Sequence, residues 1–184
     1  AFKKLKSKGY MVLKNKGLEA DDLAAWIVGK KEEFGIGDIW LISSDKDWDL
    51  LIKDGVSRFS TVTRKEITID NWDEHYDVEP DKYLTLKCLA GDTGDNVPGI
   101  AGIGPKRAVS LINDYGDLYD IYNSCPIDSK YKYIQSLNEN ADRLLLNAEL
   151  MDLESYAEQA IIESGMNLED LSSDIKGYLN GSNN

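Results

Sequence analysis

The sequence has 184 residues, of which 42% are hydrophobic and 29% are charged, and its formal net charge at pH 7 is -12. This composition suits one folded domain, or a core with a smaller appendage, and no apolar run approaches the roughly 20 residues that cross a bilayer. We therefore expect a cytoplasmic protein, and the acidic balance argues against nonspecific coating of nucleic acid but not against a local nucleic-acid site.

The first part of the sequence alternates strand and helix signals. "YMVL" predicts a short strand, and helical spacing follows in "LEADDLAAWIVGKKEEF". "DIWLISS" is a continuous apolar run, typical of a strand that is buried on both faces of a parallel sheet. "DWDLLI" then predicts a short helix, and "VSRFSTVTRKEITI" predicts two strands around a turn. We therefore expect an α/β portion over residues 1–78.

The remainder, residues 79–184, is predicted to be helical. Pro80 occupies a favoured first-turn position in "PDKYLTLKCLA", and on that helix Cys88 shares a face with Leu84, which predicts a buried thiol. After a glycine-rich loop, "PKRAVSLINDYG" predicts a helix that Gly116 can end.

Three groups of carboxylates lie at junctions between predicted elements. Each group has an ordinary explanation, since acids are favoured at helix N-termini and as turn or cap residues. However, open α/β sheets place their functional sites at the carboxyl ends of strands, where these junctions can converge. In chain order the groups are Glu19, Asp21 and Asp22, then Asp45 and Asp47, then Asp92 and Asp95.

Taken together, the three groups favour a metal pocket over decoration of helix ends. Like charges within a few ångströms raise one another's pKa, so a pocket of several carboxylates needs cations to stay ionised. Oxygen ligands favour the hard divalent ions Mg²⁺ and Mn²⁺. Two such ions, roughly 3.5–4 Å apart, can activate a water and stabilise the leaving oxygen of a phosphodiester.

The segment "PGIAGIGPKRA" predicts a hairpin that holds a phosphate. Its glycines allow positive φ and close approach of the backbone, and its two isoleucines can anchor the hairpin to the core. A proline then opens a helix at the positive end of its dipole, and two basic residues follow. Such a site suits a DNA backbone phosphate and reads no base edge. The alternative is an ordinary glycine-rich connection between helices. The residues assigned to DNA binding are Gly99, Gly102, Gly104, Lys106 and Arg107.

Three segments resemble signature blocks of the 5′-nuclease, or flap endonuclease, family: "LEADDLAAWIV", "LISSDKDWDLL" and "CLAGDTGDNVPGIAGIGPKRA". The resemblance runs from about residue 10 to about residue 150. That family includes phage 5′-exonucleases, which this sequence resembles in particular, and the 5′-nuclease domain of bacterial DNA polymerase I. It implies a partial parallel-sheet, PIN-like α/β core followed by an all-helical portion with a helix-three-turn-helix at about residues 91–116.

The resemblance also implies a metal-dependent hydrolase acting near the 5′ end or at a flap junction of branched DNA. The hairpin would hold duplex DNA by its backbone, and its carbonyls around Gly99–Gly104 could bind K⁺. For a phage-encoded protein the compartment would be the host cytoplasm. The residues implied to bind or organise two Mg²⁺ or Mn²⁺ ions are Glu19, Asp21, Asp22, Asp45, Asp47, Asp92 and Asp95, with Asp21, Asp22, Asp45 and Asp47 assigned as catalytic.

One departure from the family pattern sets the expectation for partners. Family members begin with a strand that carries another ligand aspartate, followed by a helical arch that threads the 5′ end, and nothing in this sequence corresponds to that half. We expect that half to belong to a longer form of the protein or to a separate chain, and we expect exposed apolar sheet surface to favour partnering. The alternatives to a nuclease are a structure-specific DNA-binding module without catalysis and a small metal-dependent ribonuclease.

Overall fold

The computed structural model describes residues 2–182 and divides into two compact units. The first unit joins residues 1–39 to residues 153–184, and the second is Trp40–Asp152. These units follow spatial contact, whereas the predicted boundary at residue 78 follows element type, so that boundary stays a prediction. Every helix in the described part of the chain is too short or too polar to cross a bilayer.

Helices dominate the described residues, with short strands between them. The helices are α1 (Phe2–Lys6), α2 (Ala20–Gly29), α3 (Tyr83–Ala90), α4 (Pro105–Tyr115), α5 (Leu118–Ser124), α6 (Lys132–Glu139), α7 (Asp142–Met151), α8 (Leu153–Glu163) and α9 (Leu168–Ser182). The strands are β1 (Ile39–Ile42), β2 (Val56–Phe59), β3 (Glu66–Ile67), β4 (Gly91–Asp92) and β5 (Val97–Pro98). Three 3-10 helices complete the set: Asp47–Leu51, Trp72–Glu74 and Pro80–Lys82.

The first unit is helical, with α2 packed against α8. Trp26 of α2 and Ile161 of α8 are both buried. The predicted strand at "YMVL" is wrong, because residues 10–13 contain no strand. The Tyr10 N–H donates to the Leu5 carbonyl in a turn after α1. A strand persists only where a neighbour accepts its backbone hydrogen bonds, and no described strand pairs with this segment.

The second unit contains a three-stranded sheet in the order β1-β2-β3. β2 and β3 pair antiparallel, with Arg58 opposite Ile67, which confirms the predicted pair of strands around a turn. The strand at β1 is also confirmed, but its burial on both faces is not. Leu41 is buried, whereas Trp40 and Ile42 are 49% and 59% exposed. Successive side chains of a strand lie on opposite faces, and only the Leu41 face is packed.

The helical part of the second unit surrounds α3. Cys88 on α3 is fully buried, as predicted, and burial raises the pKa of its thiol to about 12. Gly116 ends α4 with a φ of 109°, a conformation that glycine adopts without strain. The observed combination of small sheets and a helical second half confirms the predicted α/β class.

Candidate metal centre and nucleic-acid interface

Three carboxylates meet where β1 ends and β4 begins. Asp47 opens the 3-10 helix after β1, Asp92 lies on β4, and Asp95 lies in the turn between β4 and β5. Each offers an oxygen, and the three oxygens lie within 4.8 Å of one another. We call this group the acidic trio. Members of two of the predicted carboxylate groups are therefore close in space.

Lys87 is a buried cation beside the acidic trio. It lies on α3 and is only 6% exposed. Its ammonium donates to a carboxylate oxygen of Asp92 over 2.9 Å and forms a second ion pair with Asp47. Lys87 therefore bridges two of the three carboxylates, those of Asp47 and Asp92.

The charges of this site shift three pKa values. Hydrogen bonding and repulsion from Asp47 raise the pKa of Asp95 to about 6, because a neighbouring negative charge disfavours its ionised form. The hydrogen bond from Lys87 lowers the pKa of Asp92. Burial disfavours the charged form of Lys87, but the hydrogen bonds to Asp47 and Asp92 outweigh burial and raise its pKa.

The donor set of the acidic trio fits a hard divalent cation. Carboxylate oxygens are the ligands that Mg²⁺ and Mn²⁺ prefer, and one ammonium does not balance three negative charges. The raised pKa of Asp95 is a direct consequence of that imbalance. Within residues 2–182, no other group of three acidic, histidine or cysteine side chains brings its ligand atoms so close together.

Asp45, which also follows β1, has a local hydrogen-bonding role. Its carboxylate accepts the Asp47 N–H over 3.0 Å, and its own N–H donates to Ser43 Oγ over 3.1 Å. The first bond closes a local turn just before the 3-10 helix, whose N-cap position is occupied by Lys46 rather than by Asp45. The side chain is exposed and lies outside the acidic trio, so its role as a metal ligand stays a prediction.

Glu19, Asp21 and Asp22 lie at the start of α2, in the first compact unit. The Asp22 carboxylate accepts the Glu19 N–H over 3.2 Å, and acids in a first turn interact favourably with the helix dipole. Both observations fit the local explanation given above. Because the acidic trio belongs to the second unit, a shared metal site with these three residues stays a prediction.

The glycine hairpin, residues 99–104, is anchored through its isoleucines as predicted. Ile100 and Ile103 are 3% and 4% exposed, and the Ile100 N–H donates to the Leu89 carbonyl over 2.9 Å. Gly99 packs directly against the end of α3, where an added Cβ would lie 2.3 Å from the carbonyl carbon of Ala90. The hairpin is therefore fixed to the helix that carries Lys87.

The start of α4 presents features suited to an anion. Gly104 precedes the helix, Pro105 is its first residue, and the side chain of Lys106 is exposed. A helix N-terminus attracts negative charge through its free N–H groups. Residues 104–106 can therefore receive a phosphate.

Arg107 folds back onto the hairpin. Its guanidinium donates to the Gly102 carbonyl over 2.5 Å and lies 4.6 Å from the centroid of the Tyr133 ring. Tyr131 in turn stacks on Tyr133, with ring centroids 5.7 Å apart and 21° between the planes. The exposed lysines on either side of Tyr131 add positive charge to this surface. Arg107 therefore contributes to the hairpin's structure as well as to its charge.

Short connections join the acidic trio to the hairpin. β4 pairs antiparallel with β5, so that Asp92 lies opposite Val97, and the hairpin begins directly after β5. Asn147 on α7 is fully buried and donates to the carbonyls of Cys88 and Pro98, each over 2.9 Å. This side chain ties Pro98, the residue directly before the hairpin, to α3, and the spacing between the acidic trio and the hairpin is thus fixed.

Three residues of the site were not predicted from the sequence: Lys87, Tyr133 and Asn147. The available signal for Lys87 was its position as a lone lysine in the apolar "YLTLKCLA", five residues before Asp92. Tyr133 and Asn147 carry no comparable signal, because their contacts lie far away in the sequence.

Comparisons with known proteins agree with these features. Residues 78–174 match the family model described as 5′-3′ exonuclease, C-terminal SAM fold. The flap endonuclease of Escherichia phage T5 is 42% identical over 156 residues, which cover 84% of this chain and 53% of that protein. DNA polymerase I of Rhizobium leguminosarum is 35% identical over 141 residues, which cover 77% of this chain and 14% of that protein. The chain thus spans about half the length of the phage relative.

A solved structure extends the similarity to three dimensions. It is a flap endonuclease of the same phage in a pseudo-enzyme-product complex with DNA and metal ions. It matches with a TM-score of 0.87 and 38% identity, over 95% of this chain and 65% of that one. The likeness agrees with the α/β class and the helical second half described above.

Proposed function

This chain belongs to the 5′-3′ exonuclease family, and on that premise we propose that it is a metal-dependent 5′-nuclease acting near the 5′ end or flap junction of branched DNA. The observation that carries the proposal is the acidic trio with Lys87, joined by β4 and β5 to the glycine hairpin. The phage relative is a flap endonuclease, and the similar solved structure contains DNA and metal ions. Both facts support a catalytic centre beside a duplex-binding element.

The acidic trio would hold Mg²⁺ or Mn²⁺. When bound, such ions supply Lewis-acid stabilisation of the charge that develops on the phosphodiester oxygens. Lys87 orients Asp47 and Asp92, and Asp92 also accepts the Gly94 N–H over 2.8 Å, so these carboxylates are positioned before substrate arrives. The further ligands of a two-ion site are proposed to be Glu19, Asp21, Asp22 and Asp45.

The hairpin would hold the backbone of duplex DNA. Lys106 and the N-terminus of α4 bind a phosphate, while Arg107 stabilises the hairpin through Gly102 and Tyr133. The hairpin carbonyls are also proposed to bind K⁺. Because the Arg107 guanidinium already occupies the Gly102 carbonyl, the neighbouring carbonyls are better candidates for K⁺.

The proposal also includes a surface on β1 that contacts a further polypeptide segment. Trp40 and Ile42 are exposed on β1, which lies at one end of the described strand order. Exposed apolar patches on strands commonly mark contact surfaces. We infer that this face packs against a further polypeptide segment, on the same chain or on another. That segment would correspond to the part of the relatives that this chain does not cover.

The test is cleavage of a labelled 5′-flap DNA in Mg²⁺, by this chain alone and after adding the N-terminal segment of the phage relative in trans. We expect cleavage in at least one condition, with loss in EDTA and in the Asp47→Asn variant. Flap binding without cleavage in either condition would instead support the structure-specific binding module. Competition by single-stranded RNA would support the ribonuclease alternative.

A further inference from the structure

A buried ion pair lies next to the acidic trio and takes no part in the mechanism above. Arg58 on β2 and Asp49 in the 3-10 helix after β1 are 3% and 1% exposed. The guanidinium donates from Nε and from one terminal nitrogen to the two oxygens of the Asp49 carboxylate, the second over 2.8 Å. Such paired hydrogen bonds fix orientation as well as distance.

The same guanidinium also reaches the other end of the segment that carries Asp47. Its remaining terminal nitrogen donates to the Ser43 carbonyl over 3.0 Å. Arg58 thus ties together the first and last residues of the segment 43–49. Asp45 and Asp47 lie inside this segment, and their N–H groups bond to Ser43 Oγ and to the Asp45 carboxylate.

An aromatic cluster closes the ion pair on a further side. The Tyr76 hydroxyl donates to the Asp49 carboxylate, and its ring lies 4.4 Å from Tyr83 and 4.5 Å from Trp72. Every oxygen of Asp49 therefore has a partner that is itself packed. This arrangement leaves the segment 43–49 little freedom to change shape.

We propose that Arg58 is a positioning residue that sets the shape of the segment 43–49 and, through it, the place of Asp47 in the acidic trio. The inference rests on the proposed function for its consequence, since Asp47 is there a metal ligand. Its structural basis, one guanidinium holding both ends of a ligand-bearing segment, stands on the hydrogen bonds alone.

Three variants of the full chain test the inference. Arg58→Lys keeps the charge, but a single ammonium cannot hold Ser43 and both Asp49 oxygens together. The double variant Arg58→Met with Asp49→Leu removes both buried charges, so neither is left unpaired. Tyr76→Phe removes one hydrogen bond to Asp49 and leaves the ring packing intact. Arg64→Met, an exposed arginine in the turn after β2, is the matched control.

Two readouts are taken on each variant: amide hydrogen exchange at Asp45 and Asp47, and the dissociation constant for Mn²⁺. We expect about tenfold faster exchange and about tenfold weaker Mn²⁺ binding in Arg58→Lys and in the double variant, and smaller changes of the same sign in Tyr76→Phe. Arg64→Met should match the unmodified chain in both. Binding of duplex DNA in EDTA should be unchanged, since the hairpin is not altered.

The outcomes separate this inference from the proposed function. Faster exchange with unchanged Mn²⁺ affinity would overturn the positioning role and leave Arg58 as a stabilising residue only. Unchanged exchange in all three variants would overturn the inference outright. If the unmodified chain binds no Mn²⁺, the proposed function fails, and the exchange rates still decide whether Arg58 fixes the segment. If the double variant does not fold, the other two variants give the same decision.

Discussion

The ammonium of Lys87 lies 2.9 Å from a carboxylate oxygen of Asp92, one of the three carboxylates of the acidic trio. The lysine is buried and also pairs with Asp47. It therefore acts as an internal counter-ion that allows the acidic trio to form before any divalent ion is bound.

Replacing Lys87 with methionine should make folding depend on divalent metal. In a chelating buffer the variant should lose about 2–4 kcal/mol of unfolding free energy, because removing one partner of a buried pair leaves the other uncompensated, and partial exposure of the aspartates moderates the cost. Mg²⁺ or Mn²⁺ should restore part of this loss. Urea unfolding with and without metal measures both effects. Lys132→Met is the exposed control, and an equal loss in both variants would contradict the role of Lys87.

Asp95 should make stability depend on pH in the absence of metal. Its pKa is about 6 in the folded protein against an ordinary value of 3.8, so the folded state holds more protons between these values. Stability therefore falls as pH rises from about 4 to about 6 and stays lower above that range. Asparagine cannot ionise. The melting temperature of Asp95→Asn should therefore rise relative to that of the unmodified chain as the pH is raised across this window. A difference between the two melting temperatures that stays constant across this pH range would refute the assignment.

Gly99 should tolerate no side chain. A Cβ there would lie 2.3 Å from the Ala90 carbonyl carbon, and rigid backbone cannot yield as a flexible side chain can. Gly99→Ala should cost at least about 1–3 kcal/mol of stability, the usual range for overpacking, and should weaken duplex binding. Gly104→Ala is the matched control, because nothing lies within 4 Å of an added Cβ at that position. Similar melting temperatures for the two variants would show that the hairpin can separate from α3.

Lys106 should contribute to duplex binding through charge alone. The exposed side chain of Lys106 makes Lys106→Ala harmless to folding, and loss of one phosphate contact should reduce the salt slope of duplex affinity by about 0.9. Arg107→Ala should both weaken binding and lower the melting temperature, because it removes the contacts with Gly102 and Tyr133. Lys65→Ala, another exposed lysine of the same unit, is the control. A salt slope unchanged by Lys106→Ala would place this residue outside the interface.

Local patterns in the sequence predicted much of the fold correctly. Pro80, Gly116 and the two isoleucines of the hairpin lie where turn chemistry and apolar spacing placed them. These features depend on residues close in sequence. The strand predicted at residues 10–13 failed because a strand depends on its neighbours, which the local pattern does not contain.

The candidate site likewise contains residues that the sequence predicted and residues that it did not. Asp92 and Asp95 stand out in the sequence, and the structure brings them together with Asp47. The bridging roles of Lys87 and Arg58 could not be predicted, because each depends on a partner that is distant in sequence. Asp47 lies 40 residues from Lys87, and Ser43 lies 15 residues from Arg58. A lysine or arginine beside apolar residues gives no indication of which carboxylate it will contact.

Whether the acidic trio is a metal centre is tested by Mn²⁺ titration of the unmodified chain and of Asp47→Asn, followed by flap-DNA binding of both in EDTA. We expect at least about tenfold weaker Mn²⁺ binding in the variant, because a metal ligand and a negative charge are lost. DNA binding should be equal or tighter, since less negative charge faces the phosphates. Unchanged Mn²⁺ affinity together with weaker DNA binding would contradict the assignment of the acidic trio as a metal centre.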